Sequence, residues 1–129
     1  MDQNKKTKVI IIEDDSYISD MYRIKFESED FETIVANNGV EGIKLLERVV
    51  PDIILLDVVM PKIDGFSVLK AIKKNPKLDK IPVILLTNLS QKENVERGFE
   101  LGASSYIIKA HFTPSEVVEK IKEVLKQEG

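Results

Sequence analysis

Six polar side chains stand directly after short aliphatic runs in this sequence, and their chemistry is complementary. Glu13, Asp14 and Asp15 follow Val9-Ile10-Ile11-Ile12, and Asp57 follows Ile53-Ile54-Leu55-Leu56. Thr87 follows Pro82-Val83-Ile84-Leu85-Leu86, and Lys109 follows Tyr106-Ile107-Ile108. Carboxylates that converge on one edge repel each other, which raises their pKa values and costs stability unless a cation lies between them. The chain has no cysteine, and His111 is its only histidine, so the expected ion is a hard one with oxygen ligands. Mg2+ suits such a site, taking one or two carboxylates and leaving room for water and phosphate oxygens. A hydroxyl and a lysine facing the same acids suit a phosphoryl group, through a hydrogen bond and a neutralising charge. With no serine elbow, thiol or histidine pair, the remaining nucleophile is a carboxylate, which can accept a phosphoryl group as an aspartyl phosphate. Asp57 is the candidate. Taken singly, each residue also reads as a solvated acid, a capping threonine or a snorkelling lysine; it is their joint placement on strand ends that carries the chemistry.

That placement depends on the elements. The aliphatic, β-branched runs Lys8–Glu13, Asp52–Asp57 and Pro82–Thr87 have the character of strands covered on both faces. Phe31–Ala36 and Ser104–Lys109 supply two shorter strands. Between them, apolar residues recur at helical spacing. Ile18, Met21, Tyr22 and Phe26 mark a helix from Ser16 to about Glu29, and Val40, Ile43, Leu46 and Val49 or Val50 mark one from Val40 to Val49. Phe66, Leu69 and Ile72 mark a third over Phe66–Lys74, stopped by Asn75-Pro76. Val95 and Phe99 mark a weaker helix over Gln91–Leu101, in which Gly98 costs about 1 kcal/mol relative to alanine. Thr113-Pro114-Ser115-Glu116 reads as a capping box opening a last helix with Val117, Ile121, Val124 and Leu125 on its inner stripe. Strand and helix alternate five times, and right-handed crossovers make that a doubly wound α/β protein with a parallel sheet. In such sheets ligands gather at the carboxyl ends of the strands.

Composition narrows the classes. The 129 residues suffice for one domain, 43% hydrophobic and 32% charged, with a net charge of −3 and scattered basic residues. Direct nucleic-acid binding is not expected, nor is attraction to an anionic membrane. The polar start, Met1 to Lys8, has no secretory character, and no apolar run spans a bilayer, so a cytoplasmic location is expected.

The residues at the strand ends resemble the receiver (response-regulator) domains of two-component phosphorelay signalling. The resemblance runs from Lys8 to Leu125 within a single domain of residues 1–129. It rests on Glu13-Asp14 after the first strand, Asp57-Val58-Val59-Met60-Pro61 with Gly65, Thr87, Tyr106 and Lys109. It implies a flavodoxin-like (βα)5 fold of strand order 2-1-3-4-5. Asp57 would accept a phosphoryl group from a phosphohistidine on a sensor histidine kinase or phosphotransfer protein. Asp14, Asp57 and the backbone carbonyl of Val59 would ligate Mg2+, with Glu13 acting through a coordinated water. Lys109 would pair with the phosphoryl oxygens. Thr87 would move to bond them, and Tyr106 would turn inward, reshaping the face of helix four, strand five and helix five to control an output protein or an effector domain. Homodimerisation on phosphorylation fits the family's habit. Such a domain is no enzyme beyond its own phosphotransfer and autodephosphorylation.

Three departures from the family pattern stand out. Ala110 replaces the proline that usually follows the lysine in a cis bond. A cis bond without proline costs about 3–4 kcal/mol, so the loop is expected either to be trans and displaced or to be strained. Asn88 stands after Thr87 in place of a smaller residue. Val59 and Leu89 are apolar where a polar side chain often orients the attacking water, so slow autodephosphorylation is expected.

Other classes fit less well. A flavin-type phosphate loop would be repelled by Glu13-Asp14-Asp15-Ser16. An aspartyl-phosphate phosphatase wants an acid two residues after its nucleophile, where Val59 stands, and no Gly-x-x-x-x-Gly-Lys-Ser/Thr loop is present. The remaining alternative is a receiver-like docking scaffold that works without phosphorylation.

Overall fold

In the computed structural model, which describes residues 5–128, the alternating runs become β1 (Lys8–Ile12), α1 (Ser16–Ser28), β2 (Glu32–Ala36), α2 (Gly39–Leu46) and β3 (Ile53–Leu56). There follow α3 (Gly65–Lys74), β4 (Val83–Thr87), α4 (Lys92–Glu100), β5 (Ser105–Ile108) and α5 (Pro114–Glu128). Met1–Asn4, half of the polar lead-in, and Gly129 lie outside the described residues. The five strands are parallel in the order β2-β1-β3-β4-β5, the doubly wound, flavodoxin-like arrangement expected.

The continuous aliphatic runs are explained by cover on both faces. Ile10, Ile12, Ile54, Leu56, Val83 and Leu85 pack into one core with Leu46 of α2 and Phe66, Leu69 and Ile72 of α3. The alternate residues Val9, Ile11, Ile53, Leu55, Ile84 and Leu86 pack into the other, with Tyr22 and Phe26 of α1 and Val117, Ile121 and Val124 of α5. Burial of each such side chain contributes about 1.5–3 kcal/mol, so β3, buried along its whole length, anchors whatever follows it.

Register sets where the polar residues emerge. Ile12 is level with both Ala36 and Leu56, and Thr87 is level with Ile108. The ladder runs one residue beyond β1 and β3, since Glu13 N–H donates to the Ala36 carbonyl and Asp57 N–H to the Ile12 carbonyl, each at 3.0 Å. Glu13 and Asp57 therefore leave the sheet side by side, and Lys109 comes next after the strand paired with Thr87. The capping box on α5 is present in both halves: Thr113 N–H donates to Glu116 Oε1 at 2.8 Å, and Glu116 N–H to Thr113 Oγ1 at 3.1 Å.

Three helix faces differ from the apolar stripes read in the sequence. On α1, Ile18, Tyr22 and Phe26 turn inward but Met21 is exposed. Helix α2 ends at Leu46, leaving Val49 in the following turn; Val40 and Val50 face solvent, while Gly39 and Gly42 lie inside. On α4 it is Gly98 that is buried, and Phe99 is half exposed. On α2 and α4 the inner face is set by close approach of the helix backbone at glycine, which side-chain apolarity does not signal. A Cβ on Gly42 would come within 2.6 Å of Ile12 Cδ1.

Candidate functional site

Glu13, Asp14 and Asp57 each bring a carboxylate oxygen within 4.8 Å of the others at the carboxyl edge of the sheet. Their surroundings differ. Glu13 is buried, Asp57 is 7% exposed and Asp14 is open to solvent. Asp15, the third acid after β1, does separate work: its Oδ1 accepts from Tyr17 and Ile18 N–H groups at 3.0 and 3.3 Å and caps α1. Its own N–H donates to Glu13 Oε2 at 3.0 Å, helping to fix that carboxylate.

Lys109 reaches into this cluster from the residue directly after β5. Its ammonium donates to the Glu13 carboxylate in a short bond and to Asp57 Oδ2 at 3.0 Å. Asp57 Oδ1 accepts from Val59 N–H at 3.3 Å, so both oxygens of this carboxylate are oriented by the chain. Behind Asp57 the chain turns sharply through Lys62, whose φ is +72°, and Gly65 N–H returns to the Val58 carbonyl at 2.8 Å. Glycine is required there, since a Cβ would lie 2.1 Å from the Asp57 carbonyl oxygen. Thr87 is fully buried, and its hydroxyl accepts from Leu89 N–H at 3.4 Å. These groups line a pocket of about 450 Å3, whose wall includes Val59, Asn88 and Leu89.

Electrostatics follow from this packing. Burial pushes the Glu13 carboxyl up to about 7, against the pull of the Lys109 and Asp15 hydrogen bonds, and nearby Asp57 pushes the same way as burial. Burial alone would lower the Lys109 ammonium, but its bonds to Glu13 and its attraction to Asp57 outweigh that and hold it above the usual lysine value. The two shifts pull apart, since a raised carboxyl weakens the pair that a raised ammonium implies. The ammonium, held by two acids, is the firmer charge, and Glu13 is the less willing one. Three acids against one cation leave an excess of negative charge that a hard divalent ion fits.

Tyr106 lies on β5 with its ring against the core and beside Gly98, where an added Cβ would meet the ring at 3.0 Å. Its hydroxyl donates to the Leu89 carbonyl at 2.6 Å. The ring is thus already turned in and latched to the β4–α4 segment.

A profile of the response regulator receiver domain matches residues 9–122. The chain belongs to that family. Among curated proteins, this receiver is 35% identical over 127 residues to the transcriptional regulatory protein ResD of Bacillus subtilis, covering 98% of this chain and 51% of that one. It is 33% identical over 120 residues to the DNA-binding dual master transcriptional regulator RpaA of Synechocystis, covering 93% and 49%. The receiver spans about half the length of the curated relatives it matches. Among solved structures, the receiver domain of a Francisella response regulator superposes with a TM-score of 0.87 at 31% identity, covering 96% of this chain and all of that one. Vibrio cholerae chemotaxis protein CheY4 gives 0.88 at 25% identity, covering 93% and 99%.

The fold brings every residue singled out in the sequence to this receiver's pocket or its immediate neighbourhood. Glu13, Asp14, Asp57, Val59, Thr87, Leu89 and Lys109 line it, and Tyr106 sits behind Leu89. Of the two expected geometries after Lys109, the bond is trans. Among the described residues there is no cis bond, and Lys109–His111 forms a single 3-10 turn. What the sequence did not reveal is a bond between two of the three departures: Ala110 N–H donates to Asn88 Oδ1 at 3.0 Å. Nothing in a residue pattern links positions 22 apart on separate loops. Among the described residues, no helix is long and apolar enough to cross a membrane.

Proposed function

We propose that this receiver is a phosphorylation-activated switch with Asp57 as phosphoacceptor. The observation that carries the reading is the state of that carboxylate. It is nearly buried, clustered with Glu13 and Asp14, and oriented through both oxygens by Val59 N–H and Lys109. A carboxylate so held is pre-positioned to attack. An Asp57 oxygen forms a bond to phosphorus while the phosphorus–nitrogen bond of a donor phosphohistidine breaks. The bonding pair returns to the imidazole nitrogen, which takes up a proton. Lys109 stays protonated and moves from pairing with Asp57 to pairing with the transferred oxygens. Glu13, Asp14 and Asp57, with the Val59 carbonyl, would hold Mg2+, which supplies positive charge against the phosphoryl oxygens.

The output follows from Thr87 and Tyr106. Thr87 gives up the Leu89 N–H to donate to a phosphoryl oxygen, which shifts the segment that Tyr106 holds and favours one packing of α4, β5 and α5 over another. The donor is a sensor histidine kinase or phosphotransfer protein. The names of ResD and RpaA favour an output in transcription, through an effector region or a separate protein.

Intact mass decides the central point. After incubation with acetyl phosphate and Mg2+, the protein should gain one phosphoryl group, absent from Asp57→Asn and from a metal-free control. No adduct from acetyl phosphate or from a phosphohistidine donor would leave the docking-scaffold reading in its place. Light scattering with beryllofluoride and Mg2+ reports whether activation also drives dimerisation, as a rise in mass.

A further inference from the structure

The backbone pairing of β4 and β5 ends where Thr87 is level with Ile108. Beyond that rung, two bonds join the strand ends. The Tyr106 hydroxyl holds the Leu89 carbonyl at 2.6 Å, and the Ala110 N–H is held by Asn88 Oδ1 at 3.0 Å. Two successive residues after Thr87 are thereby tied to the segment that carries Lys109. The second tie needs both residues of the pair. A proline at position 110 has no N–H to give, and a small side chain at position 88 has no acceptor that reaches across.

We infer that Asn88 is a positioning residue of the phosphoryl pocket: by clasping the Ala110 N–H it sets the spacing between Thr87 and Lys109. Those two side chains must converge on one phosphoryl group from different segments, and the clasp joins the residues directly after each of them. It takes hold of an N–H at the opening of the Lys109–His111 turn, one residue from the ammonium-bearing side chain. Holding the pair at a fixed separation before the phosphoryl group arrives saves the ordering cost on binding. The carboxylates after β1 and β3 are placed by their own strands and meet this segment only through the flexible Lys109 side chain, so metal binding should change far less than phosphoryl binding.

This role rests on the phosphoacceptor reading, and the test keeps the two apart. In the unliganded protein, exchange of the Ala110 amide proton, followed by NMR, should quicken about tenfold in Asn88→Ala and in Asn88→Leu, which keeps the bulk but not the acceptor. Asn88→Asp, which keeps an acceptor, should exchange like the wild type. Beryllofluoride affinity in saturating Mg2+ should fall about three- to tenfold in Asn88→Ala and Asn88→Leu, with Mg2+ affinity within about twofold of wild type. Ala110→Pro should lose as much, and adding Asn88→Ala to it should lose nothing more; if Ala110→Pro does not fold, the two Asn88 variants carry the test. Unchanged Ala110 exchange in Asn88→Ala and Asn88→Leu overturns the clasp. Faster exchange with unchanged beryllofluoride affinity overturns the positioning role. A wild type that binds no beryllofluoride overturns the phosphoacceptor reading instead, and Ala110 exchange then decides whether the clasp exists.

Discussion

Lys109 Nζ lies 3.0 Å from Asp57 Oδ2 while also donating to the Glu13 carboxylate, so one ammonium holds together two acids that would otherwise repel. Both partners are nearly buried, with side-chain exposures of 11% for Lys109 and 4% for Glu13. Truncation at Lys109→Ala leaves Glu13 desolvated and unpaired, and should cost about 2–4 kcal/mol in metal-free protein. Urea unfolding with and without Mg2+ checks this. Mg2+ should recover part of the loss, and an unaltered midpoint without metal would show that the ion pair contributes nothing net.

Gly65 gives a second, purely steric prediction. A Cβ there would meet the Asp57–Val58 peptide head on, 2.1 Å from the Asp57 carbonyl oxygen, 2.7 Å from Val58 Cα and 2.9 Å from the Asp57 carbonyl carbon. Gly65→Ala must push α3 off the end of β3, at a cost of about 3 kcal/mol or more, and shift Asp57 with it. Calorimetry on the variant reads the loss; an unchanged melting temperature would mean that the turn relaxes freely.

Gly98 contrasts with this. Alanine in a helix interior normally gains about 1 kcal/mol over glycine. Here the added Cβ would meet Leu85 Cδ1 at 2.7 Å and Tyr106 Cδ2 at 3.0 Å. The gain should vanish in Gly98→Ala, and the Tyr106 ring resonances should move. Stabilisation by the full propensity difference would show that the ring yields without cost.

The apolar wall formed by exposed Val59 and by Leu89 offers no side-chain hydrogen bond to an attacking water. The phosphorylated protein should therefore lose its phosphoryl group slowly, and Val59→Asn should quicken hydrolysis by roughly tenfold. Decay of the intact phosphoprotein mass measures both. Rapid turnover in the wild type would refute the assignment of these two positions.

Tyr106 links the phenol to the charge on Asp57. Burial pushes its pKa above the ordinary tyrosine value of 10.0, and the Asp57 carboxylate pushes in the same direction. The neutral phenol is thus favoured in the folded state, and the unfolded chain ionises first. The resulting stabilisation is complete below pH 10 and declines as pH rises through the raised value. Asp57→Asn removes the second cause and should lower the Tyr106 midpoint towards 10, followed by its ring carbon shifts against pH. A midpoint unmoved by Asp57→Asn would mean that burial acts alone.

How much was legible in the sequence depended on which force set the feature. The aliphatic runs before Glu13, Asp57 and Thr87 are the cores of β1, β3 and β4, because a strand covered on both faces has no polar positions to interrupt it. The edge to which Glu13, Asp57, Thr87 and Lys109 belong followed from the parallel topology. Helix faces set by close approach were not legible, because Gly39, Gly42 and Gly98 carry no hydrophobic signal and yet occupy the inner face. Nor was the division of labour among three successive acids, of which Glu13 is buried, Asp14 faces the pocket and Asp15 caps a helix. The Asn88–Ala110 bond was beyond reach for another reason, since it exists only after two loops have been brought together by the sheet.

The strand order has a consequence for biosynthesis. Glu13 is followed 96 residues later by the lysine that answers it, and Asp57 52 residues later. Strands β1 and β3, neighbours in the sheet, emerge from the ribosome well before β5 does. Until β5 has been made, the cation that answers both acids is missing from the chain, so folding that starts at the N-terminus cannot complete this cluster.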